Sequence, residues 1–245
     1  MKRALVSMLV MSMITLVGCS GTTTDNNAGT DSGISTENTT GQDNGASTGG
    51  SLANMEVKTG DEALERLKKG NEQYVNGSIE NVDVSSERRQ QLENGQNPFA
   101  VILSCSDSRV VTSRIFNTGL GDIFDIKIAG NVVDDLAMGS IEYGVEHLGA
   151  PLLVVMGHES CGAVTAAYDN VNKGTEAEGN IEAIVEKIAP AVNGAASIED
   201  ASHKNVKDVI AELNQDEIIK HLVDSGKLKV VGAYYDLDGN VEFLD

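Results

Sequence analysis

Two short polar segments contain residue types that commonly bind metal ions. Residues 104–109 contain a thiol at Cys105, and residues 157–162 contain an imidazole at His158 and a second thiol at Cys161. Two thiolates and one imidazole suit Zn²⁺, and three protein ligands leave the fourth tetrahedral position for water or substrate, as in catalytic zinc sites. The sequence therefore predicts one catalytic zinc ion per chain, held by these three side chains.

Asp107 and Arg109 lie close to the first thiol in the sequence. If the chain stays extended past Leu103, side chains two residues apart point the same way, so Cys105, Asp107 and Arg109 share one side. The guanidinium can then hold the carboxylate by bidentate hydrogen bonds and keep it from competing with water for the metal. An Asp107 held in this way can accept a hydrogen bond from zinc-bound hydroxide and direct that hydroxide at an electrophile. The alternative is an exposed ion pair worth well under about 1 kcal/mol.

Both polar segments follow apolar runs, and these runs predict the elements that position them. Continuous apolar runs of this length are typical of strands buried on both faces of a parallel sheet. The strand candidates are residues 99–103, 123–128, 152–156 and 228–235. Ligands of open parallel sheets bind beyond the carboxyl ends of the strands, so the two polar segments are expected to converge. Asp238-Gly239 predicts a hairpin turn that adds a short antiparallel edge strand.

Helical patterns lie before and between these strands. Thr59 and Glu62 have the spacing of a capping box at the start of a helix that ends near Gly77. The further helical segments are residues 86–94, 141–148, 181–192, 206–213 and 217–223. The expected fold class is therefore α/β, with a mainly parallel central sheet of about four strands plus an antiparallel edge strand, flanked by helices.

The whole chain is acidic and has the composition of a globular protein. Its 245 residues include 37 acidic and 18 basic side chains, for a net charge of −19. This charge argues against nucleic acid and a polybasic contact with membranes. The apolar fraction of 40% is enough for a packed core. The three cysteines are too few for a disulfide scaffold, so each needs its own explanation.

The N-terminal residues resemble a bacterial lipoprotein leader. Residues 1–18 place two basic side chains before an apolar stretch that is too short to span a bilayer comfortably. Cys19 then completes a segment similar to a lipobox, in which the cysteine is acylated during processing. Residues 19–54 are rich in Ser, Thr, Gly and Asn, which is typical of a flexible linker. We therefore expect an extracytoplasmic protein that a lipid on Cys19 anchors to the cell membrane, with one folded domain at residues 55–245.

Together, Cys105-x-Asp107-x-Arg109 and His158-x-x-Cys161 resemble the paired motifs of the β-class carbonic anhydrases, and the resemblance spans nearly all of the folded domain. It implies the reversible hydration of carbon dioxide to bicarbonate and a proton by zinc-bound hydroxide. The same resemblance implies the zinc ligands predicted above, with Asp107 and Arg109 as a gating pair. It also implies a homodimer or a larger dimer-based oligomer, in which N-terminal helices pack on the partner.

Further positions match the substrate pocket of the plant-like branch of that family. Gln96 would donate a hydrogen bond to substrate, and Phe124 and Tyr143 would form pocket walls at the subunit interface. These matches favour the branch whose resting zinc carries water over the branch in which the aspartate closes the site. Gly162 follows the last ligand, as in the family, and its backbone would face the substrate near the metal.

Two positions depart from the family pattern. Lys127-Ile128 replaces an Arg-Asn pair that many relatives have, and Ala129 occupies a position that is often a larger pocket residue. Lys127 keeps the positive charge, whereas the hydrogen bonds of the amide are lost. These departures predict modest activity and an altered dimer contact, and they leave the zinc ligands unchanged.

The sequence also admits other functions. The same zinc site could act on CS2 or COS, because these molecules are also linear and have an electrophilic carbon. A noncatalytic zinc- or thiol-redox lipoprotein is the alternative from another class, with Cys105 and Cys161 forming a disulfide. The remaining histidines are expected at the surface, where His147 could carry protons and where His203 and His221 are solvated.

Overall fold

Five strands form one sheet at the centre of the described part of the chain. The computed structural model describes residues 55, 57–79 and 83–244, which belong to a unit extending from Thr48 to Asp245. The strands are β1 (Ala100–Ser104), β2 (Ile123–Lys127), β3 (Leu152–His158), β4 (Lys229–Tyr235) and β5 (Val241–Leu244). They lie in the order β2-β1-β3-β4-β5, with β1 to β4 parallel and β5 antiparallel to β4. The predicted α/β fold class, with its antiparallel edge strand, is confirmed.

Helices cover both faces of this sheet. Within the described residues they are α1 (Gly60–Val75), α2 (Ser86–Leu92), α3 (Thr112–Ile115), α4 (Asp135–Glu142), α5 (Gly162–Lys173), α6 (Ile181–Val192), α7 (Ile198–Leu213) and α8 (Glu217–Asp224). A 3-10 turn spans Ala129–Asn131, and a π-helical turn at Tyr143–His147 continues α4. No helix in residues 57–79 or 83–244 has the length and apolar character needed to cross a bilayer. The predicted leader at residues 1–18, Cys19 and the linker at residues 19–54 lie outside the described residues.

Side-chain caps set the starts of several helices. The Thr59 hydroxyl accepts from the Glu62 N–H, and the Glu62 carboxylate accepts from the Thr59 N–H, so the predicted capping box is confirmed. Ser197 and Asp216 cap α7 and α8 with their side-chain oxygens. Helix α7 begins further upstream than predicted, because its first turns are largely polar and show little apolar period.

Helix α1 packs on the sheet of its own chain. Its buried residues Ala63, Leu64 and Leu67 join a core cluster that also contains Ile102 and Phe116. We expected the N-terminal helices to pack on a partner subunit. The buried residues of α1 are covered within this chain, and its packing on a partner subunit stays a prediction. Helix α2 has no buried residue on this chain, and its Arg88 donates to the carbonyl oxygen of Leu120.

The central strands β1 and β3 are buried over their whole lengths. Leu103 and Val155 belong to a core cluster shared with α4 and α7, whereas Ile102 and Val154 belong to a second cluster shared with α1 and α3. Helices on both faces explain why these strands are continuously apolar instead of alternating. Because β1 and β3 are parallel neighbours in register, the residues that follow β1 lie beside the last residues of β3.

Candidate metal centre

Three metal-binding side chains converge at the carboxyl ends of β1 and β3. Cys105 follows β1 directly, His158 is the last residue of β3, and Cys161 immediately precedes α5. Since β1 and β3 are parallel neighbours, their carboxyl ends meet at the same edge of the sheet. The ligand atoms of the three side chains lie within 4.8 Å of one another, and all three residues are buried. The structure therefore brings together the three residues that the sequence predicts as zinc ligands.

The imidazole of His158 is oriented in a way that suits a metal ligand. Its Nδ1 lies 2.9 Å from the carbonyl oxygen of Glu159. A carbonyl oxygen can only accept a hydrogen bond, so Nδ1 carries a proton, and in the neutral imidazole Nε2 then keeps a lone pair. Nε2 is buried and has no hydrogen-bond partner among the described residues. A zinc ion would satisfy this nitrogen, and one imidazole with two thiols is a donor set that zinc prefers.

Cys105 and Cys161 are free thiols whose sulfur atoms lie 4.0 Å apart. The Cys161 thiol donates to the Cys105 sulfur, and this is the largest of the effects that lower the pKa of Cys105 to about 4. The same interaction, followed by burial, raises the pKa of Cys161. The pair therefore loses one proton readily and holds the second. A divalent cation can take the place of that second proton, which allows both sulfurs to bind as thiolates.

Cys105 is fixed by the segment at the end of β2. The Gly130 N–H donates to Cys105 Sγ at 3.3 Å, and the Lys127 ammonium donates to the Cys105 carbonyl oxygen at 2.8 Å. Lys127 also donates to the carbonyl oxygen of Val110 at 2.5 Å, so one side chain joins both ends of the loop at residues 105–110. In the sequence, Lys127 is visible only as a departure from a family pattern. Its contacts lie 22 and 17 positions away along the chain, where no spacing rule predicts them.

Asp107 and Arg109 form the predicted ion pair, although the chain there is not extended. Arg109 Nε lies 2.9 Å from Asp107 Oδ1, and Nη2 lies 2.8 Å from Oδ2. The backbone turns at Asp107, where the Arg109 N–H donates to Oδ1 and the Val110 N–H donates to the Asp107 carbonyl oxygen. The expectation of an extended segment is therefore wrong, because the aspartate side chain stabilises its own turn. The Arg109 guanidinium holds the pKa of Asp107 well below its usual range, so this carboxyl is ionised at neutral pH.

The residues predicted to form the substrate pocket lie at the surface of this chain. Gln96 is exposed in the segment between α2 and β1. Phe124 on β2 is half-buried, and its ring centroid lies 6.1 Å from that of Tyr143, which is 47% exposed. Gly162 is the first residue of α5 and is exposed. Among the described residues, Gln96 makes no hydrogen bond to the three metal-binding side chains.

Glu159 has a structural role that its position between two predicted ligands does not show. Its Oε2 accepts a hydrogen bond from the Leu237 N–H at 3.0 Å. Its own N–H donates to the carbonyl oxygen of Tyr235 at 2.9 Å. Glu159 therefore ties the turn between His158 and Cys161 to the end of β4.

The other histidines differ in their surroundings. His147 is exposed, and its ring centroid lies 5.4 Å from that of Tyr143, one helical turn away. His221 on α8 is exposed, as expected. The expectation that His203 is solvated is wrong, because its ring packs against Tyr234 with centroids 4.2 Å apart and its Nε2 is buried.

The sequence is similar to proteins named carbonic anhydrase. The sequence profile of the family described as "Carbonic anhydrase" matches residues 100–241. Carbonic anhydrase 2 of Mycobacterium tuberculosis is 41% identical over 182 residues, which cover 72% of this chain and 88% of that protein. The carbonic anhydrase of Mycolicibacterium smegmatis is 37% identical over 187 residues, which cover 74% of this chain and 91% of that protein.

Solved structures show the same similarity. The β-carbonic anhydrase CafA of Aspergillus fumigatus superimposes with a TM-score of 0.59 and is 28% identical, covering 65% of this chain and 81% of that one. The Coccomyxa β-carbonic anhydrase in complex with acetazolamide superimposes with a TM-score of 0.58 and is 25% identical. That alignment covers 74% of this chain and 86% of the Coccomyxa chain.

Proposed function

This chain belongs to the β-class carbonic anhydrase family, and we propose that it is a lipid-anchored, extracytoplasmic member whose zinc is held by Cys105, His158 and Cys161. It catalyses the reversible hydration of carbon dioxide to bicarbonate and a proton, and it uses zinc. The observation that carries the ligand assignment is the buried cluster, in which an unpartnered imidazole nitrogen lies within 4.8 Å of two free thiols.

When bound, zinc supplies a Lewis acid that makes water a nucleophile at neutral pH. Cys105, His158 and Cys161 would hold such an ion through two sulfurs and one nitrogen. The protonated Nδ1 of His158, fixed on the Glu159 carbonyl, keeps the imidazole in the tautomer that the metal requires. Cys105 is held at its carbonyl by Lys127 and at its sulfur by Gly130, so its thiolate cannot swing away.

Asp107 and Arg109 form an ion pair two and four residues after Cys105. Asp107 is ionised, so it can accept a hydrogen bond or a proton but cannot donate one. Arg109 occupies both carboxylate oxygens and thereby keeps them from becoming a fourth ligand. This engagement supports the branch of the family whose resting site is open to water. Hydration of carbon dioxide by water gives bicarbonate and one proton, and the proton leaves to buffer.

We also infer that the enzyme works as a homodimer or a dimer-based oligomer. Leu136 is 82% exposed and lies seven residues before Tyr143 on one continuous helical segment, so both side chains share a face. Phe124 lies against Tyr143 and extends this apolar strip to β2. Strand β2 is also an edge of the sheet. An exposed apolar strip beside a sheet edge is typical of a surface that another subunit covers.

Hydration activity and metal content test the catalytic assignment together. The purified, zinc-loaded chain should hydrate carbon dioxide in a stopped-flow assay and contain one zinc per chain. Cys105→Ser and His158→Ala should each lose both zinc and activity, whereas His221→Ala, which changes an exposed histidine, should keep both. Full zinc content and activity in Cys105→Ser would contradict the ligand assignment. Measuring COS and CS2 hydrolysis on the same samples ranks the three substrates.

Fractionation of cells tests the anchor separately from the chemistry. The support for the anchor is the lipobox-like segment that ends at Cys19 and the polar linker that follows it. Cys19→Ser should move the protein from the membrane fraction to the soluble fraction, whereas Ser20→Ala should leave it on the membrane. A Cys19→Ser protein that stays with the membrane would contradict a lipid on Cys19.

A further inference from the structure

The peptide backbone at Gly130 connects Cys105 to a buried side chain on a distant helix. The Gly130 N–H donates to Cys105 Sγ at 3.3 Å. The carbonyl oxygen of the same residue accepts a hydrogen bond from Asn205 Nδ2 at 2.8 Å. Asn205 lies on α7, 75 residues further along the chain, and is 2% exposed. Two hydrogen bonds on either side of the Gly130 Cα therefore link α7 to the sulfur of Cys105.

The backbone at this point adopts a conformation that needs support. Gly130 has a φ of 70°, and a Cβ placed there would lie 2.5 Å from Ile188 Cδ1 and 3.0 Å from the Ala163 Cβ. The next residue, Asn131, has a φ of 44°, which is uncommon for a residue other than glycine. A residue other than glycine in this region is maintained only where its surroundings hold it. The Asn205 amide is the side chain that holds the Gly130 carbonyl.

A hydrogen bond to a thiolate changes its behaviour as a metal ligand. The N–H draws electron density from the sulfur, so the sulfur donates less charge to the metal and the metal becomes a stronger Lewis acid. Groups that orient or polarise a ligand without touching the metal typically change metal affinity or activity by about 10–100-fold. The direction of the Gly130 N–H therefore matters for the chemistry at Cys105.

We propose that Asn205 is a positioning residue of the zinc site, which holds the Gly130 carbonyl and so fixes the backbone of Gly130 with its N–H pointing at the sulfur of Cys105. The proposal rests on the assignment of Cys105 as a zinc ligand. Helix α7 contributes none of the three ligands. Under this proposal its Asn205 nevertheless influences how strongly the Cys105 thiolate donates to the metal.

Asn71 provides a matched control for this role. It is also a buried asparagine, at 7% exposed, and its Nδ2 also donates to backbone carbonyl oxygens, those of Ile115 and Gly239. It lies on α1, which contributes none of the three ligands. Loss of either asparagine leaves buried carbonyl groups without their donor and lowers stability. Only loss of Asn205 should alter the metal site.

The test compares Asn205→Leu and Asn71→Leu in the full chain, first loaded with zinc and then with Co²⁺. Asn205→Leu should bind zinc about 10–100-fold more weakly than the wild type in competition with a chelator, because the Cys105 sulfur is no longer held in position before the ion binds. Its sulfur-to-cobalt charge-transfer band should move to lower energy, because a sulfur without its hydrogen bond is more electron-rich. Asn71→Leu should lower the thermal midpoint while leaving zinc affinity and the band unchanged. If Asn205→Leu does not fold, Asn205→Ala is measured in the same way.

The outcomes separate this role from simple stabilisation. Unchanged zinc affinity and an unchanged band in a folded Asn205 variant would overturn the proposal, even if the variant unfolds at a lower temperature. Equal losses of zinc affinity in the Asn205 and Asn71 variants would overturn it too, because they would show a general effect of stability. A wild-type chain that binds no zinc would instead refute the ligand assignment itself.

Discussion

Arg109 Nη2 lies 3.3 Å from the carbonyl oxygen of Ser160, so the guanidinium that holds Asp107 also reaches the turn between the other two proposed ligands. Ser160 has a φ of 55° and sits directly before Cys161. Arg109 therefore contacts both polar segments of the site. An exposed ion pair with no other partner would be worth well under about 1 kcal/mol. This arginine instead links the two segments that supply the proposed ligands.

Replacing Asp107 with asparagine should separate metal binding from catalysis. The three proposed ligands remain, so Asp107→Asn should keep one zinc per chain. The amide loses the negative charge that Arg109 holds and can turn a donor toward the reacting water. We expect the hydration rate to fall by roughly 100-fold or more, which is the usual size of such an effect. Stopped-flow hydration with metal analysis on the same sample measures both quantities, and unchanged turnover would show that the pair has no catalytic role.

Lys127 should affect turnover through the loop that carries Asp107. Its ammonium joins the carbonyl oxygens of Cys105 and Val110, which are the two ends of that loop. Lys127→Met removes both hydrogen bonds and should lower turnover by about 10-fold or more. Lys127→Arg keeps several donors and the charge, so it should recover most of the lost rate. Equal losses in the two variants would indicate that packing of the lysine stem, and not hydrogen bonding, is what the loop requires.

The positions of the proposed ligands could be predicted from the sequence because local patterns determine them. Cys105 and His158 lie at the ends of two apolar runs, and parallel strands place such ends at one edge of the sheet. The capping box at Thr59 is another local signal. The apolar period of α6 is a third, and this helix spans the residues predicted for it. These features depend on neighbours within a few residues along the chain.

The supports of the site could not be predicted, because they depend on contacts between distant segments. The hydrogen bonds of Lys127 depend on how the end of β2 lies beside the loop that follows β1, and that of Asn205 depends on how α7 lies beside the turn at Gly130. Neither the last residue of a strand nor an asparagine on a largely polar helix turn carries a periodicity that marks such contacts. The surroundings of His203 could not be predicted for the same reason. Its acidic helix suggested an exposed side chain, but its ring packs on Tyr234. The packing of α1 on its own chain is a further contact that the capping pattern does not encode.

The exposed strip on α4 gives a prediction about assembly. Leu136→Asp places a charge on a side chain that is 82% exposed and shares a helix face with Tyr143. If a second copy covers this strip, the variant should be a monomer in sedimentation velocity and should lose activity, because the partner would no longer close the pocket. Val171→Asp, which changes a 39% exposed residue on α5, should leave assembly unchanged. Wild-type assembly in Leu136→Asp would place the subunit interface elsewhere.

The connection between β4 and β5 contains two carboxyl groups with opposite effects on stability. Burial, followed by repulsion from neighbouring carboxylates such as Asp238, raises the pKa of Asp236 above its ordinary value of 3.8. The folded chain then binds the Asp236 proton more tightly than the unfolded chain does, so stability falls as the pH rises from 3.8 through the higher folded pKa. Asp236→Asn should therefore raise the thermal midpoint at pH 7 by on the order of 2 °C. This gain should shrink as the pH is lowered toward 3.8.

Replacing Asp238 should shift the thermal midpoint in the opposite direction to replacing Asp236. Hydrogen bonds from the backbone and side chain of Asn240 lower the pKa of Asp238 below 3.8. The ionised carboxylate therefore stabilises the folded chain above pH 3.8, and that contribution is lost as the pH falls through the lower folded pKa. Asp238→Asn should lower the thermal midpoint at pH 7, and its difference from the wild type should narrow in acid. Thermal unfolding of both variants between pH 7 and acid measures how each midpoint difference from the wild type changes with pH. Midpoint shifts of the same sign in the two variants at pH 7 would contradict the opposite effects assigned to these carboxyl groups.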